Sequence, residues 1–392
     1  MPEFYLEPLT DRHTCFKCEK TVKKKLLKCN GCHAITYCGV ECQSADWDRH
    51  GWNCVPVMVT EFPGKGRGLL AAKDIKKGEV IFIDEPVIKL PTDAQGNLRV
   101  VAGGSKALKS LKDQIDNMPS EAKLQFHKLF IPESQLTFYN NYVRSTFAGA
   151  SPSDRKLIKL FLSNAKLMNG SENILYLNSA LVNHSCAPNA IDYGLTPETK
   201  DEEFSAELRA IKDISKGEEI VTCYFPDVKK YGSISRKRKT GIKKDFLFDC
   251  KCPVCLGKVP GQEKLLKKLI EMHSKLNPTP SDWKKEARIC DGIFDLTKEL
   301  YIGRLDLDKT KALDALLRTA HLARDRALVR KAMDKWRQHS EENMYEDTDE
   351  RFEAFEERLA QWSRELKSNR APEKREIDFF FRISFSDSPH LM

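Results

Sequence analysis

The sequence predicts an α+β protein organised around metal-binding cysteines, and three observations lead to this prediction. Seven Cys and two His residues fall within residues 15–54, a segment too short to fold on apolar burial alone. From Val57 onward, short strand-like segments alternate with turn glycines. From about Gln262, apolar residues recur at the helical period between charged ones. We therefore expect a small metal-held module, a sheet-rich middle and an α-helical C-terminal region.

The N-terminal module has the ligand spacing of two zinc sites. Its residues are Cys15-x2-Cys18, Cys29-x2-Cys32, Cys38-x3-Cys42 and His50-x3-Cys54. Eight such ligands fill two tetrahedral sites of four, and four protein ligands leave no open position for chemistry, so both sites would be structural. Free thiols are the alternative for some of them. His33 competes with His50, but His33 lies directly beside Cys32, and His50 is therefore preferred.

A second cysteine cluster, Cys250-x-Cys252-x2-Cys255, lacks a fourth ligand. The cysteines that remain outside both clusters are Cys186, Cys223 and Cys290. Cys186 ends the polar segment Asn183-His184-Ser185-Cys186, and a zinc ion that recruited it would tie the chain together across more than sixty residues. The sequence thus predicts three zinc ions per chain.

The sheet-rich middle contains an internal echo. The segment from Ala72 to Ile81, AKDIKKGEVI, is similar in sequence to the segment from Ile211 to Ile220, IKDISKGEEI. Each segment predicts a strand, a tight turn at its glycine and a second strand. Two unrelated hairpins are the simpler interpretation of the echo.

Helices are predicted between the two echoes and at the C-terminal end. Ser151-Pro152 supplies an N-cap and a proline at the first helical position, and the helical spacing continues to Met168 before Gly170. Two apolar stripes mark the C-terminal region: Leu265, Leu266, Leu269 and Ile270, then Leu313, Leu316, Leu317 and Ala320. No clean repeat accompanies them, so a tetratricopeptide-like stack stays open.

Composition argues against several classes of protein. The chain is 41% hydrophobic and 31% charged with a formal charge of +8, a mild excess without the concentrated basic footprint of a DNA-binding protein. No apolar run approaches the roughly 20 residues that span a bilayer, and the first ten residues do not resemble a signal peptide. We expect a protein of the cytoplasm, the nucleus or both, with no membrane partner and no direct DNA binding.

Eight basic residues fall within the sixteen positions from Lys229 to Lys244. Three interpretations of this basic run compete: a solvated helix face, a rim that attracts a substrate tail, and a nuclear-import signal.

Four motifs in order resemble a SET domain followed by its post-SET zinc cluster. They are Gly66-Arg67-Gly68, Asn183-His184-Ser185-Cys186, Gly217 to Tyr224 with Glu218, Glu219 and Ile220, and Phe248-Asp249-Cys250-Lys251-Cys252-Pro253-Val254-Cys255. The cysteine module before them resembles a MYND finger. The whole chain therefore resembles the SET–MYND lysine methyltransferases, except that many members have SET sequence before the finger, whereas here Gly66 follows it.

The resemblance implies a domain plan. Residues 1–14 are a lead-in, 15–54 the MYND zinc finger, 55–249 a SET domain with a helical insertion at about 103–170, 250–257 the post-SET zinc cluster and 258–392 an α-helical C-terminal domain. SET-domain β-sheets would surround a pseudo-knot in which the Asn183 segment meets the Tyr224 strand. Interleaved zinc ligation is also implied: Cys15, Cys18, Cys38 and Cys42 on one ion, and Cys29, Cys32, His50 and Cys54 on the other.

The implied activity is methyl transfer from S-adenosyl-L-methionine to the ε-amine of a lysine in a histone or another protein. By family correspondence, the backbone of Lys65, Gly66 and Arg67 contacts the methionine part of this cofactor. Asn183 and His184 hold its adenosine part, Phe248 packs on adenine and Tyr224 orients the methyl group and the amine. The simpler interpretations are a turn residue for Asn183, a core aromatic for Tyr224 and zinc-site packing for Phe248.

Two further expectations follow from the resemblance. Relatives often have a tyrosine at the substrate-channel position of Phe246, and loss of its hydroxyl predicts more di- and trimethylation. MYND fingers usually take short proline-containing peptides, so the alternative function is a catalytically idle scaffold that binds such peptides through its finger. The presence of Asn183, His184 and Tyr224 together favours the enzyme.

Overall fold

The computed structural model describes residues 14–22, 26–32, 35–51, 54–91, 105–131, 133–168, 172–195, 205–224, 235–246, 248–277, 280–300 and 305–342. His33, Gly170 and positions 229–234 of the basic run lie outside these ranges. The order of elements confirms the α+β class: short strands dominate the middle of the chain, and helices fill the insertion and the C-terminal region. The predicted domain boundaries stay predictions.

The strands are β1 (Leu27–Lys28), β2 (Thr36–Tyr37), β3 (Val57–Phe62), β4 (Gly66–Ala71), β5 (Val80–Asp84), β6 (Ile88–Pro91), β7 (Lys166–Met168), β8 (Glu172–Leu175), β9 (Asn183–His184), β10 (Ala190–Leu195), β11 (Ser205–Ala210) and β12 (Glu219–Thr222). The helices are α1 (Val40–His50), α2 (Ser105–Asn117), α3 (Ser120–His127), α4 (Glu133–Thr146), α5 (Pro152–Asn164), α6 (Ser235–Phe246), α7 (Gln262–His273), α8 (Trp283–Glu299), α9 (Leu305–Leu322) and α10 (Arg326–Glu342).

Small sheets surround the middle of the chain, in the orders β3-β4-β12-β9, β10-β11-β5 and β6-β8-β7, while β1 pairs with β2 in the finger. Neighbouring strands are antiparallel except β12 and β9, which run parallel. Apolar side chains between the first two sheets form a buried core that includes Leu69, Ile81, Leu208 and Ile220. This core supports β12 and β9, the strands that contain or lead to Asn183, His184 and Tyr224.

The two echo segments pair with each other instead of forming two separate hairpins. Ile75 and Ile214 exchange both backbone hydrogen bonds, each at 2.9 Å. The N–H of Lys77 donates to Asp213 at 2.9 Å, and the equivalent N–H of Lys216 donates to Asp74 at 2.8 Å. The aspartate of each segment therefore accepts a hydrogen bond from the turn of the other segment. The repeated sequence forms a local two-fold pairing, which joins β4 and β5 to β11 and β12.

The helix predicted from Ser151 begins as expected and ends early. The Ser151 hydroxyl accepts a hydrogen bond from the N–H of Asp154 at 3.1 Å, an N-cap contact. The helix stops at Asn164, however, and Met168 lies in β7, which pairs with β8. The prediction that helical spacing runs to Met168 is therefore wrong, because backbone pairing with β8 overrides the local periodicity.

The C-terminal helices bury the whole predicted stripe of α9 and part of that of α7, where Leu265 and Ile270 are half-buried. Leu266 and Leu269 of α7 are buried, as are all four stripe residues of α9. Helix α8 packs against α9, and α9 packs against α10. Among the described residues, none of the helices combines the length and apolarity that crossing a membrane requires.

Candidate active site and metal centres

The centre of the candidate site is the parallel pairing of β9 with β12. Asn183 pairs with Val221 and His184 with Thr222, which carries the two segments separated by more than thirty residues into contact immediately before Tyr224. The N–H of Ser185 extends the pairing by donating to the Thr222 carbonyl at 2.9 Å. The Asn183 segment and the Tyr224 strand therefore meet, as the implied pseudo-knot requires.

The Asn183 side chain is fixed by two acceptors. Its Nδ2 donates to Glu219 Oε1 at 3.1 Å and to the Arg67 carbonyl at 3.3 Å. The second carboxylate oxygen of Glu219 accepts from Lys65 Nζ at 2.6 Å. Because both donors of this network come from predicted cofactor-binding residues, Glu219 holds the Gly66 corner against β9. With Nδ2 turned toward Glu219, the Oδ1 acceptor of the amide faces the other way.

Gly68 allows this close approach. A Cβ at position 68 would collide with Asn183 Nδ2 and would stand 2.7 Å from the Phe62 ring. Gly66 has a different requirement: its φ of +77° lies in the left-handed region that favours glycine. Gly66 thus permits the backbone conformation of the turn, and Gly68 permits the close contact between neighbouring strands.

We expect Gly68→Ala to weaken binding of S-adenosylhomocysteine by about tenfold or more, because misplacement of the Asn183 amide by about 1 Å is costly. Titration calorimetry measures this affinity. Gly149→Ala is the matched control, since a Cβ there meets nothing within 4 Å. Equal affinities for the two variants would contradict the role given to Gly68.

The side chain of Arg67 leaves the site. Its Nη2 donates to the Lys128 carbonyl at 2.7 Å and its Nη1 to Gln125 at 3.4 Å. Both partners belong to the helical insertion, and the Phe130 ring lies against Gly66, about where a Cβ there would touch it. Arg67 therefore presents only its backbone toward Asn183 and uses its guanidinium to fasten the insertion to the Gly66 corner.

His184 is a buried and neutral imidazole. Its Nδ1 accepts a hydrogen bond from the backbone N–H of Tyr224 at 3.1 Å, and its ring lies 5.1 Å from the Tyr224 ring and 5.5 Å from the Phe248 ring. Burial lowers the pKa of His184 to about 4. An uncharged ring at this position suits packing against a planar ligand.

Tyr224 presents its ring to two phenylalanines and anchors its hydroxyl. The hydroxyl donates to the Val182 carbonyl at 2.8 Å, and the ring centroid lies 5.8 Å from that of Phe246 and 6.3 Å from that of Phe248. Burial of the hydroxyl end raises the pKa of Tyr224, although 37% of the residue is exposed. The result is an aromatic-walled surface with a neutral phenol at one end.

Asp84 supports the site from behind. This buried carboxylate accepts from the Ser179 N–H at 2.7 Å and from Asn178 Nδ2 at 3.1 Å, at the start of the 3-10 turn Ser179–Leu181 that leads to Asn183. Burial raises the pKa of Asp84 to about 7, although the Ser179 donor and Lys166 oppose that rise.

A raised pKa means that protonation of Asp84 favours the folded state. Its contribution to stability is complete below the usual pKa near 3.8 and is lost as the pH rises to about 7. We expect the stability of the wild type relative to Asp84→Asn to fall across this window, at up to about 1.4 kcal/mol per pH unit. Urea unfolding at a series of pH values measures it.

Asp213→Asn is the control for this titration. Asp213 is exposed, and its hydrogen bonds from the Lys77 N–H and Lys76 lower its pKa, so its contribution is lost only as the pH falls below this window. A difference between wild type and Asp84→Asn that is flat from pH 4 to 7 would overturn the argument.

The finger brings its eight ligands into two groups. One group is Cys15, Cys18, Cys38 and Cys42, and the other is Cys29, Cys32, His50 and Cys54; within each, the ligand atoms lie within 4.8 Å of one another. Tetrahedral zinc with Zn–S bonds of 2.3 Å separates sulfurs by about 3.8 Å. The sulfurs of Cys38 and Cys42 are 3.5 Å apart and those of Cys29 and Cys54 are 3.7 Å apart, which fits zinc.

The third group joins Cys186 to Cys250, Cys252 and Cys255, and all four are buried. The Cys186 sulfur lies 3.8 Å from that of Cys250 and 3.5 Å from that of Cys255. The group therefore links the segment that follows Asn183 and His184 to the segment that follows Phe248. Three groups of four Cys or His ligands match the three zinc ions that the sequence predicts.

Comparison with known proteins places this arrangement in a family. A family model described as SET domain matches residues 66–225, and a second, described as MYND finger, matches residues 15–54. The chain belongs to the SET–MYND family.

Relatives within the SET–MYND family are distant in sequence. Histone-lysine N-methyltransferase SMYD3 of Homo sapiens is 23% identical over 75% of this chain and 65% of its own length. N-lysine methyltransferase SMYD2 of Gallus gallus is 27% identical over 74% of this chain and 63% of its own, and SMYD2 of Homo sapiens is 25% identical over 62% and 51%. The chain thus spans between half and two thirds of the length of these relatives.

In this SET–MYND protein the finger precedes the Gly66 motif in the chain, but the motif still lies within the SET sheet. Strand β4, which contains Gly66 and Gly68, pairs with β3 on one side and with β12 on the other. Its neighbour β12 is the strand that leads to Tyr224. The glycine corner therefore lies beside the pseudo-knot although the finger precedes it in the chain.

Sequence reasoning missed Glu219, Gly68 and Asp84. Glu219 and Gly68 both belong to motifs that resemble the SET domain. The motifs indicate that these positions matter, but not which contacts the two residues make. Asp84 ends an apolar strand with no motif around it. Its role depends on the position of Ser179, about a hundred residues later in the chain, which no local pattern predicts.

Proposed function

We propose that this SET–MYND protein is an S-adenosylmethionine-dependent protein lysine N-methyltransferase. The observation that carries the proposal is the convergence of Asn183, His184 and Tyr224 at the β9–β12 pairing, with Phe246 and Phe248 against Tyr224. The relatives SMYD3 and SMYD2 are named as lysine methyltransferases, which supports the same reaction.

The aromatic surface suits the deprotonation that the reaction needs. A lysine with its reference pKa of about 10.4 must lose a proton before its nitrogen can react, which costs about 4.6 kcal/mol at pH 7. The rings of Phe246, Phe248 and Tyr224 form an apolar wall that disfavours the ammonium form. The lysine proton leaves to solvent, and the freed lone pair is directed along the wall.

We assign the cofactor contacts as follows. The backbone of Lys65, Gly66 and Arg67 receives the methionine part, Asn183 and His184 receive the adenosine part, and Phe248 packs on adenine. When bound, S-adenosylmethionine would supply a sulfonium methyl group; the lysine nitrogen would attack this methyl carbon in line, and S-adenosylhomocysteine would leave as the C–S bond breaks. Alignment supplies most of the rate in such a reaction, and we assign this role to Tyr224.

The substrate is a lysine of a histone or of another protein. The decisive experiment incubates the protein with methyl-labelled S-adenosylmethionine, histones and a cytosolic extract, then locates label on lysine by mass spectrometry. Calorimetry with S-adenosylhomocysteine is run in parallel. Cofactor binding without any labelled lysine would favour a scaffold, and absence of cofactor binding would refute the enzyme proposal.

A second candidate function is peptide binding by the finger. Val40 is 65% exposed and Trp47 is 49% exposed, and both belong to α1 of the finger. Because Val40 and Trp47 are seven positions apart, they share a face of α1, and an exposed apolar patch of this kind marks an interaction site. A proline-containing peptide is the expected ligand. Loss of peptide affinity in Trp47→Ala, with zinc content unchanged, would support it; unchanged affinity would count against it.

The number of methyl groups added to the substrate lysine tests the role of Phe246. We expect Phe246→Tyr to shift the product toward monomethyl-lysine, because a hydroxyl with its bound water narrows the space for added methyl groups. Mass spectrometry of a substrate peptide measures the ratio, with Phe16→Tyr in the finger as the control. Only monomethyl product from both wild type and Phe246→Tyr would show that the phenylalanine does not permit further methylation.

We place the protein in the cytoplasm, the nucleus or both. Its thirteen cysteines support this, since all are free of disulfides and twelve ligand positions, eleven of them cysteine, lie in the three metal groups. Cysteines used in this way are typical of reducing compartments.

A further inference from the structure

Within the described part of the basic run, one basic side chain lies in the interior of the protein. Residues 235–244 of the run lie in α6, and lysines such as Lys244 lie on its exposed side. Arg238 is 1% exposed and is the largest side chain among those that are fully buried. The interpretation of the run as a uniformly solvated helix face is therefore wrong for this position.

The buried face of α6 points toward the third cysteine group. Ile242, one turn after Arg238, is fully buried in the cluster that contains Cys186, Cys250, Cys252 and Cys255. Residues four positions apart share a helix face, so Arg238, Ile242 and Phe246 form one line. Phe246, at the end of that line, packs on the same cluster and contacts Tyr224.

The guanidinium of Arg238 has sulfurs as its charged neighbours. None of its three nitrogens has a hydrogen-bond partner among the described residues. Its electrostatic partners are Cys186 and Cys255, two members of the third cysteine group whose sulfurs lie 3.5 Å apart. A cation without any compensating charge would be very costly at this depth.

Charge balance gives the reason for this placement. A zinc ion with four thiolate ligands carries a net negative charge, and burying that charge is unfavourable unless a cation lies nearby. The four ligands of the ion, Cys186, Cys250, Cys252 and Cys255, supply only negative charge. A guanidinium beside two of these cysteines offsets that negative charge.

We propose that Arg238 is the buried counter-ion of the zinc site formed by Cys186, Cys250, Cys252 and Cys255, and that it holds zinc there through the ligand sulfurs. Arg238 is a positioning residue, since it touches neither the proposed cofactor nor the reacting atoms. Through the same helix face it links zinc occupancy to the position of Phe246.

The test measures zinc release and does not depend on methyl transfer. Wild type, Arg238→Gln and Arg238→Lys are purified with zinc, and transfer of zinc to a coloured chelator is followed after metal analysis. Lys244→Gln is the matched control, because it removes one positive charge from the exposed side of the same helix. Cys255→Ser identifies the release phase that belongs to this site.

We expect Arg238→Gln to release this zinc about 10–100-fold faster than the wild type, the range typical of outer-shell partners, with the phases of the finger unchanged. Arg238→Lys keeps the charge and is expected to release zinc at an intermediate rate. Equal rates for Arg238→Gln, Lys244→Gln and wild type would overturn the proposal, as would equally fast release from Arg238→Lys and Arg238→Gln. If Arg238→Gln does not fold, Arg238→Lys decides: release within about tenfold of the wild type supports the counter-ion, and faster release refutes it.

Discussion

Substitution of phenylalanine for Tyr224 is expected to lower the rate of methyl transfer by about 100-fold, while the affinity for S-adenosylhomocysteine changes little. The hydroxyl anchors the ring by donating to the Val182 carbonyl at 2.8 Å. Without that bond the ring can shift, and a shift of about 1 Å at a reacting centre costs about 100-fold. Single-turnover kinetics with labelled cofactor separates this loss from a change in substrate binding.

Tyr142→Phe is the control for this experiment, because Tyr142 is a half-buried tyrosine of the helical insertion. The simpler interpretation, that Tyr224 is a core aromatic, predicts a different result. A core tyrosine that loses its hydroxyl would cost stability and leave the single-turnover rate of the folded fraction intact. Thermal melts of both variants distinguish the two cases, and an unchanged rate in Tyr224→Phe would remove it from the proposed mechanism.

Sequence patterns predicted the metal ligands well because zinc ligation demands fixed residue types at short spacings. Cys186 was within reach of such reasoning since the trio from Cys250 to Cys255 needed a fourth ligand. The start of α5 was equally accessible, because Ser151 and Pro152 act within one turn. These features depend on local chemistry or on ligand arithmetic, and neither needs knowledge of the tertiary structure.

Features that depend on distant partners could not be predicted in the same way. The end of α5 is decided by β8, which takes Met168 into a strand. Arg238 lies among basic neighbours that are exposed, and only the packing of α6 on the cysteine cluster shows that it is buried. The echo of Ala72–Ile81 was visible in the sequence, but its reciprocal pairing with the second copy is a tertiary fact.

The largest effect on stability is expected from Cys186→Ala. A structural zinc contributes on the order of 10 kcal/mol to folding, and removal of one of its four ligands should lose the ion. We expect metal analysis to return two zinc ions per chain instead of three, with a large drop in the melting temperature. The buried charges of Cys250, Cys252 and Cys255 would be left without their ion, which adds to the cost.

This variant also tests whether the metal site supports the candidate active site. Cys186 lies two residues after His184, and Cys250 two residues after Phe248, so loss of the ion releases both rings that flank Tyr224. Cofactor affinity should therefore fall together with zinc content. Cys290→Ala is the matched control, since it removes a buried thiol of α8 outside the three groups and should cost about 1 kcal/mol with all three zinc ions retained. Three zinc ions in Cys186→Ala would show that the group does not bind metal through Cys186, and the link between the two halves of the site would then need another origin.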